Sequence, residues 1–206
     1  MVKNLLFDLG GVIMDIRREN CIESLKRLGM ADPGMFLGEY VQAGPFGELE
    51  SGKISPAEFR DELRKWLPAG VTDEEIDSAF EDFLIGIPLH RLHELEELRK
   101  KFSVYLLSNT NPIMWNDRIA GEFKKDGKTI SHYFDGMVTS FESKCMKPDA
   151  RIFEDVVEKF GIKPEETIFL DDSASNTAAA EKLGFKTITV IPGAEFAELL
   201  SDVDCK

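Results

Sequence analysis

No stretch of this 206-residue chain approaches the roughly 18 consecutive apolar residues that a membrane span requires. The longest early run, Leu5-Leu6-Phe7, is cut by Asp8 before it reaches the length of an export signal's apolar core. Cysteine is scarce. Cys21, Cys145 and Cys205 are odd in number and share no paired spacing, which argues against a disulfide framework and for reduced thiols in a cytoplasmic protein. Positive charge is short as well: 25 Lys and Arg stand against 38 Asp and Glu, a net charge of −13. Broad nucleic-acid binding needs clustered Lys and Arg and is not expected here. Low-complexity or collagen-like bias is missing too, so the chain is expected to fold. The same acidity repels small anions at long range. A site that accepts one must carry local positive charge from a lysine, a helix N-terminus or a metal.

What is present suits one core with a small insertion, not two full domains: 43% of the residues are hydrophobic and 31% charged. Apolar runs at Lys3–Phe7, Val104–Leu107, Met137–Thr139, Thr167–Leu170 and Thr187–Ile191 read as strands. Their continuous apolar character, without alternation, suits a parallel sheet covered on both faces. Helical patterns fall between them. Pro88 to Lys101 carries Leu89, Leu92, Leu95 and Leu98; Asp149 to Phe160 carries Ile152, Phe153, Val156 and Val157; Ser173 to Leu183 is alanine-rich and ends at Gly184, a C-cap signal. The alternation implies right-handed crossovers and an open α/β sheet, Rossmann-like, with helices on both faces. Residues 16–87 break the rhythm with no convincing strand. Ser55-Pro56-Ala57-Glu58 is a capping box with proline at N1, and Thr72-Asp73-Glu74-Glu75 repeats the signal. The expected organisation is a core of residues 1–15 and 88–206, with a helical cap of residues 16–87 inserted after the first strand.

Ligands of open α/β sheets bind beyond the carboxyl ends of the strands. Asp8 with Gly10 and Gly11 follows the first expected strand. Ser108-Asn109-Thr110-Asn111-Pro112 follows the second, Lys147-Pro148 lies past the third, and Asp171-Asp172-Ser173 follows the fourth. Each alone is ordinary turn or capping chemistry. Together they place three acids at one sheet edge, where they repel one another unless a cation sits among them. Mg²⁺ is the natural cation, since it takes hard oxygen ligands and keeps several waters.

In order along the chain, Asp8, Ser108, Lys147 with Pro148, and Asp171-Asp172 resemble the four motifs of the haloacid dehalogenase-like hydrolase superfamily. The stretches FDLGGVIMD, LLSNTN, KPDARIF and FLDDSASN are similar to the bacterial subgroup that includes α-D-glucose-1-phosphate phosphatase. The resemblance covers essentially the whole chain, and it places residues 16–87 where that family carries its cap. It implies that Asp8 attacks phosphorus to give an aspartyl-phosphate, which water hydrolyses. It implies that Asp8, the Gly10 carbonyl and Asp172 hold Mg²⁺, with Asp171 assisting, and that Ser108, the Asn109 backbone and Lys147 bind the phosphoryl oxygens. The substrate implied is a small phosphorylated metabolite, a sugar phosphate above all, and the protein would act as a monomer or weak homo-oligomer. One departure matters. Phosphatases of this family usually carry a second Asp two residues after the nucleophile, where this chain has Gly10; general acid–base help is worth about 10²–10⁴-fold. Asp15 is a substitute if a flap presents it.

Two other readings compete. A 2-haloacid dehalogenase would use the same Asp on carbon without metal, and Gly10 permits it; Asp171 and Asp172 argue against it. A catalytically weak binding or interaction module rests on Gly10 alone. The remaining polar residues read as structural. His90 and His93, spaced to share a helix face, lack a third ligand, and His132 is isolated. Cys145, between Lys144 and Lys147, would have a lowered pKa if they face it. Glu94, Glu96 and Glu97 with Arg99, Lys100 and Lys101 form a solvated face. Phe36, Tyr40, Phe46, Phe59 and Trp66 are expected in the cap's own core.

Overall fold

The computed structural model describes residues 1–38, 42–201 and 203. Tyr40 and Cys205 lie outside the described residues. The chain opens with β1 (Asn4–Phe7), then β2 (Asp15–Ile16). Four helices follow: α1 (Arg18–Arg27), α2 (Gly44–Glu50), α3 (Pro56–Arg64) and α4 (Asp73–Glu81). Next come β3 (Leu84–Gly86), α5 (Leu89–Arg99) and β4 (Ser103–Ser108). A short α6 (Pro112–Met114) runs through a π turn at Trp115–Ile119 into α7 (Ala120–Phe123). The remaining elements are α8 (Ile130–Tyr133), β5 (Gly136–Thr139), α9 (Ser140–Ser143), α10 (Ala150–Phe160), β6 (Thr167–Asp171), α11 (Ala174–Lys182), β7 (Lys186–Thr189) and α12 (Phe196–Leu199).

Five strands make one parallel sheet in the order β5-β4-β1-β6-β7, so the fold is the expected α/β class. Each central strand sends alternate residues to opposite faces. Leu5, Phe7, Val104, Leu106, Ile168 and Leu170 pack in one apolar cluster, while Leu6, Leu107 and Phe169 pack in the other. The second face is closed by Ile152, Phe153 and Val156 of α10 and Ala180 of α11. The first is closed by Leu92 and Leu95 of α5, Phe123 of α7 and Phe196 of α12, whose ring lies 4.8 Å from that of Phe7. Burial on both faces is why the strand sequences run apolar without alternation.

The helix starts follow their signals. Ser55 and Thr72 each make a full capping box, with Glu58 and Glu75. The Asn111 side chain accepts from the Met114 N–H, with Pro112 at N1. Gly184 closes α11 at φ +91°, a conformation that favours glycine.

Between residues 18 and 81 the regular elements among the described residues are helical. Phe46, Phe59 and Phe80 meet there with ring centroids 4.9–5.2 Å apart. Trp66 departs from the expectation: it is 49% exposed and touches Phe36 only edge-on at 5.5 Å. The expectation of no strand between residues 16 and 87 also needs correction. Leu84–Gly86 pairs antiparallel with Asp15–Ile16, so the chain leaves and re-enters the α/β part through a two-stranded ribbon. Three residues opposite two are too few to produce a period-2 pattern, so this strand left no signature in the sequence.

Candidate active site

β1 lies at the centre of the sheet, flanked by β4 and β6. Phe7 is in register with Leu106 on one side and Leu170 on the other. One step beyond, Asp8, Leu107 and Asp171 reach the same level, and the Asp8 N–H donates to the Leu170 carbonyl at 2.9 Å. Register alone thus brings residues 8 and 171 side by side at the carboxyl edge. Asp8, Gly10, Ser108, Asn109, Lys147 and Asp172 line one pocket there. Asp171 lies against it, fully buried.

Lys147 is the charge at the centre of this group. Its Nζ lies 2.7 Å from Asp8 Oδ1 and 2.7 Å from Asp171 Oδ2, and it donates to the Leu107 carbonyl at 3.1 Å. The Lys147–Pro148 peptide bond is cis. The Asn109 side chain grips the lysine's backbone from both sides: Lys147 N–H donates to Asn109 Oδ1 at 2.9 Å, and Asn109 Nδ2 donates to the Lys147 carbonyl at 3.0 Å. Asp171 is held by the Ser173 N–H at 2.8 Å and by Asn176 Nδ2 at 3.0 and 3.2 Å. Both its oxygens are therefore engaged, and its place in the structure is as the anchor of Lys147.

Electrostatics follows from burial. The Asp8 carboxyl is pushed up to about 7, first by burial; Lys147 pulls it down, while Asp171 and Asp172 push it further up. The Lys147 ammonium is held above its ordinary value because Asp171 and Asp8 outweigh the cost of burying it. Asp8, Asp171 and Asp172 each offer an oxygen within 4.8 Å of the others. Three carboxylates with one ammonium fall two charges short of neutrality when ionised, and hard oxygens in such a group suit a small divalent cation. The backbone beside them is shaped to match. A Cβ on Gly11, whose φ is +74°, would lie 2.3 Å from Asp172 Oδ2. Glycine is required there on two counts, backbone conformation and close approach.

The pocket has a second wall from the helical segment. Gln42, Glu50, Phe80 and Phe83 line the same pocket as the charged edge, together with Met14, Ile16 and Leu84 of and beside the ribbon. Asp15 does not share that wall. Its neighbours Met14 and Ile16 line the pocket while Asp15 is exposed, as strand alternation requires. The expectation that Asp15 substitutes for a second acid therefore fails in this arrangement.

Other expectations are resolved in the same way. His90 lies near Glu195 at 3.5 Å and His93 near Asp126 at 3.8 Å, so the two do not converge on one partner. His90, Glu94 and Glu195 do approach one another, but Glu94 already takes Arg91 at 2.8 Å. His132 is not isolated; it meets Glu96 at 2.6 Å. Cys145 is buried, and burial together with Asp149 raises its pKa, opposite to the lowering expected from nearby lysines. Lys144 instead donates to the Gly52 carbonyl, and Lys147 is committed to the two acids.

Three polar pocket residues were missed from sequence: Asn176, Gln42 and Glu50. Asn176 sits in the FLDDSASN stretch, and its helix-start position was the available signal. Gln42 and Glu50 carried no signal, because a lone amide before a short helix, or a lone acid at its end, has no pattern.

A family model described as haloacid dehalogenase-like hydrolase matches residues 2–184. The chain belongs to the haloacid dehalogenase-like hydrolase family. Among its relatives is a D-ribitol-5-phosphate phosphatase of Bacteroides thetaiotaomicron, 38% identical over 98% of both chains. A glyceraldehyde 3-phosphate phosphatase of Pyrococcus furiosus is 27% identical over 96% of this chain and 84% of the relative. A crystal structure of a family enzyme from Bacteroides thetaiotaomicron, an alanine variant complexed with magnesium and inorganic phosphate, superposes with a TM-score of 0.93 at 40% identity, covering 97% of this chain and 99% of that one. An L-2-haloacid dehalogenase of Xanthobacter autotrophicus superposes at 0.64 with 20% identity, which shows shared fold alone.

Proposed function

We propose that this chain is a Mg²⁺-dependent phosphatase of a small phosphorylated metabolite, a sugar or polyol phosphate, working through an aspartyl-phosphate on Asp8. The observation that carries the reading is the meeting of Asp8, Lys147 and Asp172 at one sheet edge, in a pocket that the helical segment covers. The activities and ligands of the full-length relatives support it.

Asp8, the Gly10 carbonyl and Asp172 would hold Mg²⁺, with Asp171 behind them as the lysine's anchor. The ion supplies charge neutralisation between two anions that must meet, and it polarises the phosphoryl oxygens. Ser108, the Asn109 backbone and Lys147 bind those oxygens. Asn109's side chain is already spent on the lysine backbone, so its backbone is what it offers the substrate. An Asp8 oxygen attacks phosphorus, and the ester P–O bond breaks toward the leaving oxygen. Water then hydrolyses the acyl phosphate and restores the carboxylate. At Gly10 no carboxyl protonates the leaving oxygen, so turnover rises with leaving-group acidity. Residues 16–87 act as the cap that excludes water and selects the substrate.

The test is phosphate release across a panel of metabolite phosphates, with Mg²⁺ and with EDTA, for the wild type and Asp8→Asn. Release is expected from at least one sugar or polyol phosphate, abolished by EDTA and by the substitution while the thermal midpoint holds. Turnover unchanged by Asp8→Asn refutes the nucleophile. Chloride release from a 2-chloroacid that persists in EDTA favours carbon chemistry instead.

A further inference from the structure

The two walls of the pocket differ in character. The sheet edge supplies the charges, and Lys147 is the one cationic side chain among the described lining residues. The opposite wall is apolar, with Phe80, Phe83 and Leu84, except at two points. Gln42 presents an Oε1 that is buried and has no hydrogen-bond partner among the described residues. Glu50 lines the same cavity.

An orphaned amide oxygen in a native pocket costs free energy unless something that enters the pocket satisfies it. Glu50 is held in place from behind. Ser140 Oγ lies 2.7 Å from the Glu50 carbonyl, to which it donates, and 3.0 Å from the Thr110 carbonyl; it also accepts from the Thr110 N–H at 3.0 Å. The end of α2 is therefore tied through Thr110 to the loop after β4, which carries Asn109 and follows directly on Ser108. Gly52, two residues on, leaves no room for a Cβ, which would meet the Phe141 carbonyl at 2.2 Å. The Glu50 backbone is thus fixed relative to the loop that follows Ser108.

We propose that Glu50 and Gln42 read hydroxyl groups on the organic part of the phosphoester, and that they restrict the substrate to an uncharged, polyhydroxylated carbon skeleton. The proposal rests on the phosphatase reading and adds to it which residues select the substrate and by what chemistry. A hydroxyl donates to Gln42 Oε1 and exchanges a hydrogen bond with Glu50, while the apolar wall packs on the carbon chain. Burial raises the Glu50 carboxyl to about 8. Raised that far, the carboxyl keeps its proton at neutral pH and is able both to donate and to accept. A second anionic group on the substrate would enter this half of the cavity with no cation to meet it, so phosphorylated acids are rejected.

The experiment compares kcat/KM of the Mg²⁺-supplemented full chain for a five-carbon polyol phosphate, n-pentyl phosphate and a phosphorylated hydroxy acid of the same length. The wild type is expected to prefer the polyol ester over each of the others by roughly a hundredfold, since polar groups left unpaired by the wrong ligand discriminate strongly. Glu50→Leu is expected to cut the polyol-to-pentyl preference by about tenfold or more, chiefly through KM on the polyol ester. Gln42→Leu should cut it less, and Glu50→Gln, which keeps a donor and an acceptor, should retain most of it. Thermal midpoints check that each variant folds, and the wild type's own preference tests the idea without any substitution. An unchanged ratio in folded Glu50→Leu and Gln42→Leu overturns the inference while leaving the phosphatase reading intact. So does an equal loss on both esters, or a Glu50→Gln variant indistinguishable from Glu50→Leu. A wild type that cleaves no phosphomonoester overturns the phosphatase reading and the inference with it.

Discussion

Replacing Lys147 by alanine would test whether the acids at the sheet edge are held together by a single ammonium. Lys147 is 2% exposed and Asp171 is not exposed at all, and the two lie 2.7 Å apart. Removing one member of a buried ion pair leaves the other charge uncompensated, at a cost of about 3–5 kcal/mol. Asp171 keeps the Ser173 N–H and Asn176 Nδ2, which places the expected loss at the lower end, about 3 kcal/mol. For a chain of this length each kcal/mol moves the thermal midpoint by about 2–4 °C, so Lys147→Ala should melt roughly 6–12 °C below the wild type. The assay is thermal unfolding followed by circular dichroism, with and without Mg²⁺. The cation should restore more of the midpoint in the variant than it adds to the wild type, because it takes over part of the lysine's neutralising role. A variant that melts within about 2 °C of the wild type would refute the reasoning, since it would show that the carboxylates are not mutually frustrated.

Gly11→Ala forces a Cβ to 2.3 Å from Asp172 Oδ2 at a positive φ; it should displace Asp172, weaken Mg²⁺ binding at least tenfold by calorimetry and lower stability by about 1–3 kcal/mol. Asn109→Ala removes both hydrogen bonds that fix the Lys147 backbone; it should cost about 1–3 kcal/mol of stability, yet the protein that stays folded should release phosphate roughly a hundredfold more slowly, a split that kinetics and melting read together. Glu50→Gln should change how stability responds to pH. The folded chain keeps the Glu50 proton up to about 8, against an ordinary value near 4.5, so wild-type stability falls as pH climbs through that interval and levels off above it. The variant has no such proton to lose, and it should match the wild type near pH 5 and exceed it by about 2–4 kcal/mol at pH 9, measured by urea unfolding. Equal pH profiles would show that the carboxyl is not desolvated.

The sheet was legible because both its faces are buried. Leu5-Leu6-Phe7 and Ile168-Phe169-Leu170 had to be apolar on every side, and such runs stand out against a chain this rich in charge. The edge of the sheet was legible because Asp8, Ser108, Lys147 and Asp171-Asp172 fall directly after strands or the loops they launch. What the sequence hid is of two kinds. The ribbon of Asp15–Ile16 with Leu84–Gly86 is shorter than any period, and its pairing joins residues about 70 apart, so nothing local announces it. It nonetheless decides that Met14 and Ile16, not Asp15, face the pocket. The wall that carries Gln42 and Glu50 is set by how α2 docks on Ser140, a long-range contact between residues with no shared motif. Cys145 shows the same limit in reverse: nearby lysines in the chain suggested a lowered pKa, but packing sends Lys144 and Lys147 elsewhere and buries the thiol.

The most direct test of the account is a rapid-quench experiment in which the protein turns over a phosphoester with Mg²⁺, is stopped in acid, digested and weighed peptide by peptide. The account predicts that the peptide spanning Asp8 gains the mass of one phosphoryl group, that the gain needs Mg²⁺, and that Asp8→Asn abolishes it. A protein that releases phosphate at full rate while no such adduct forms on that peptide, or one that forms it equally well in EDTA, would contradict it.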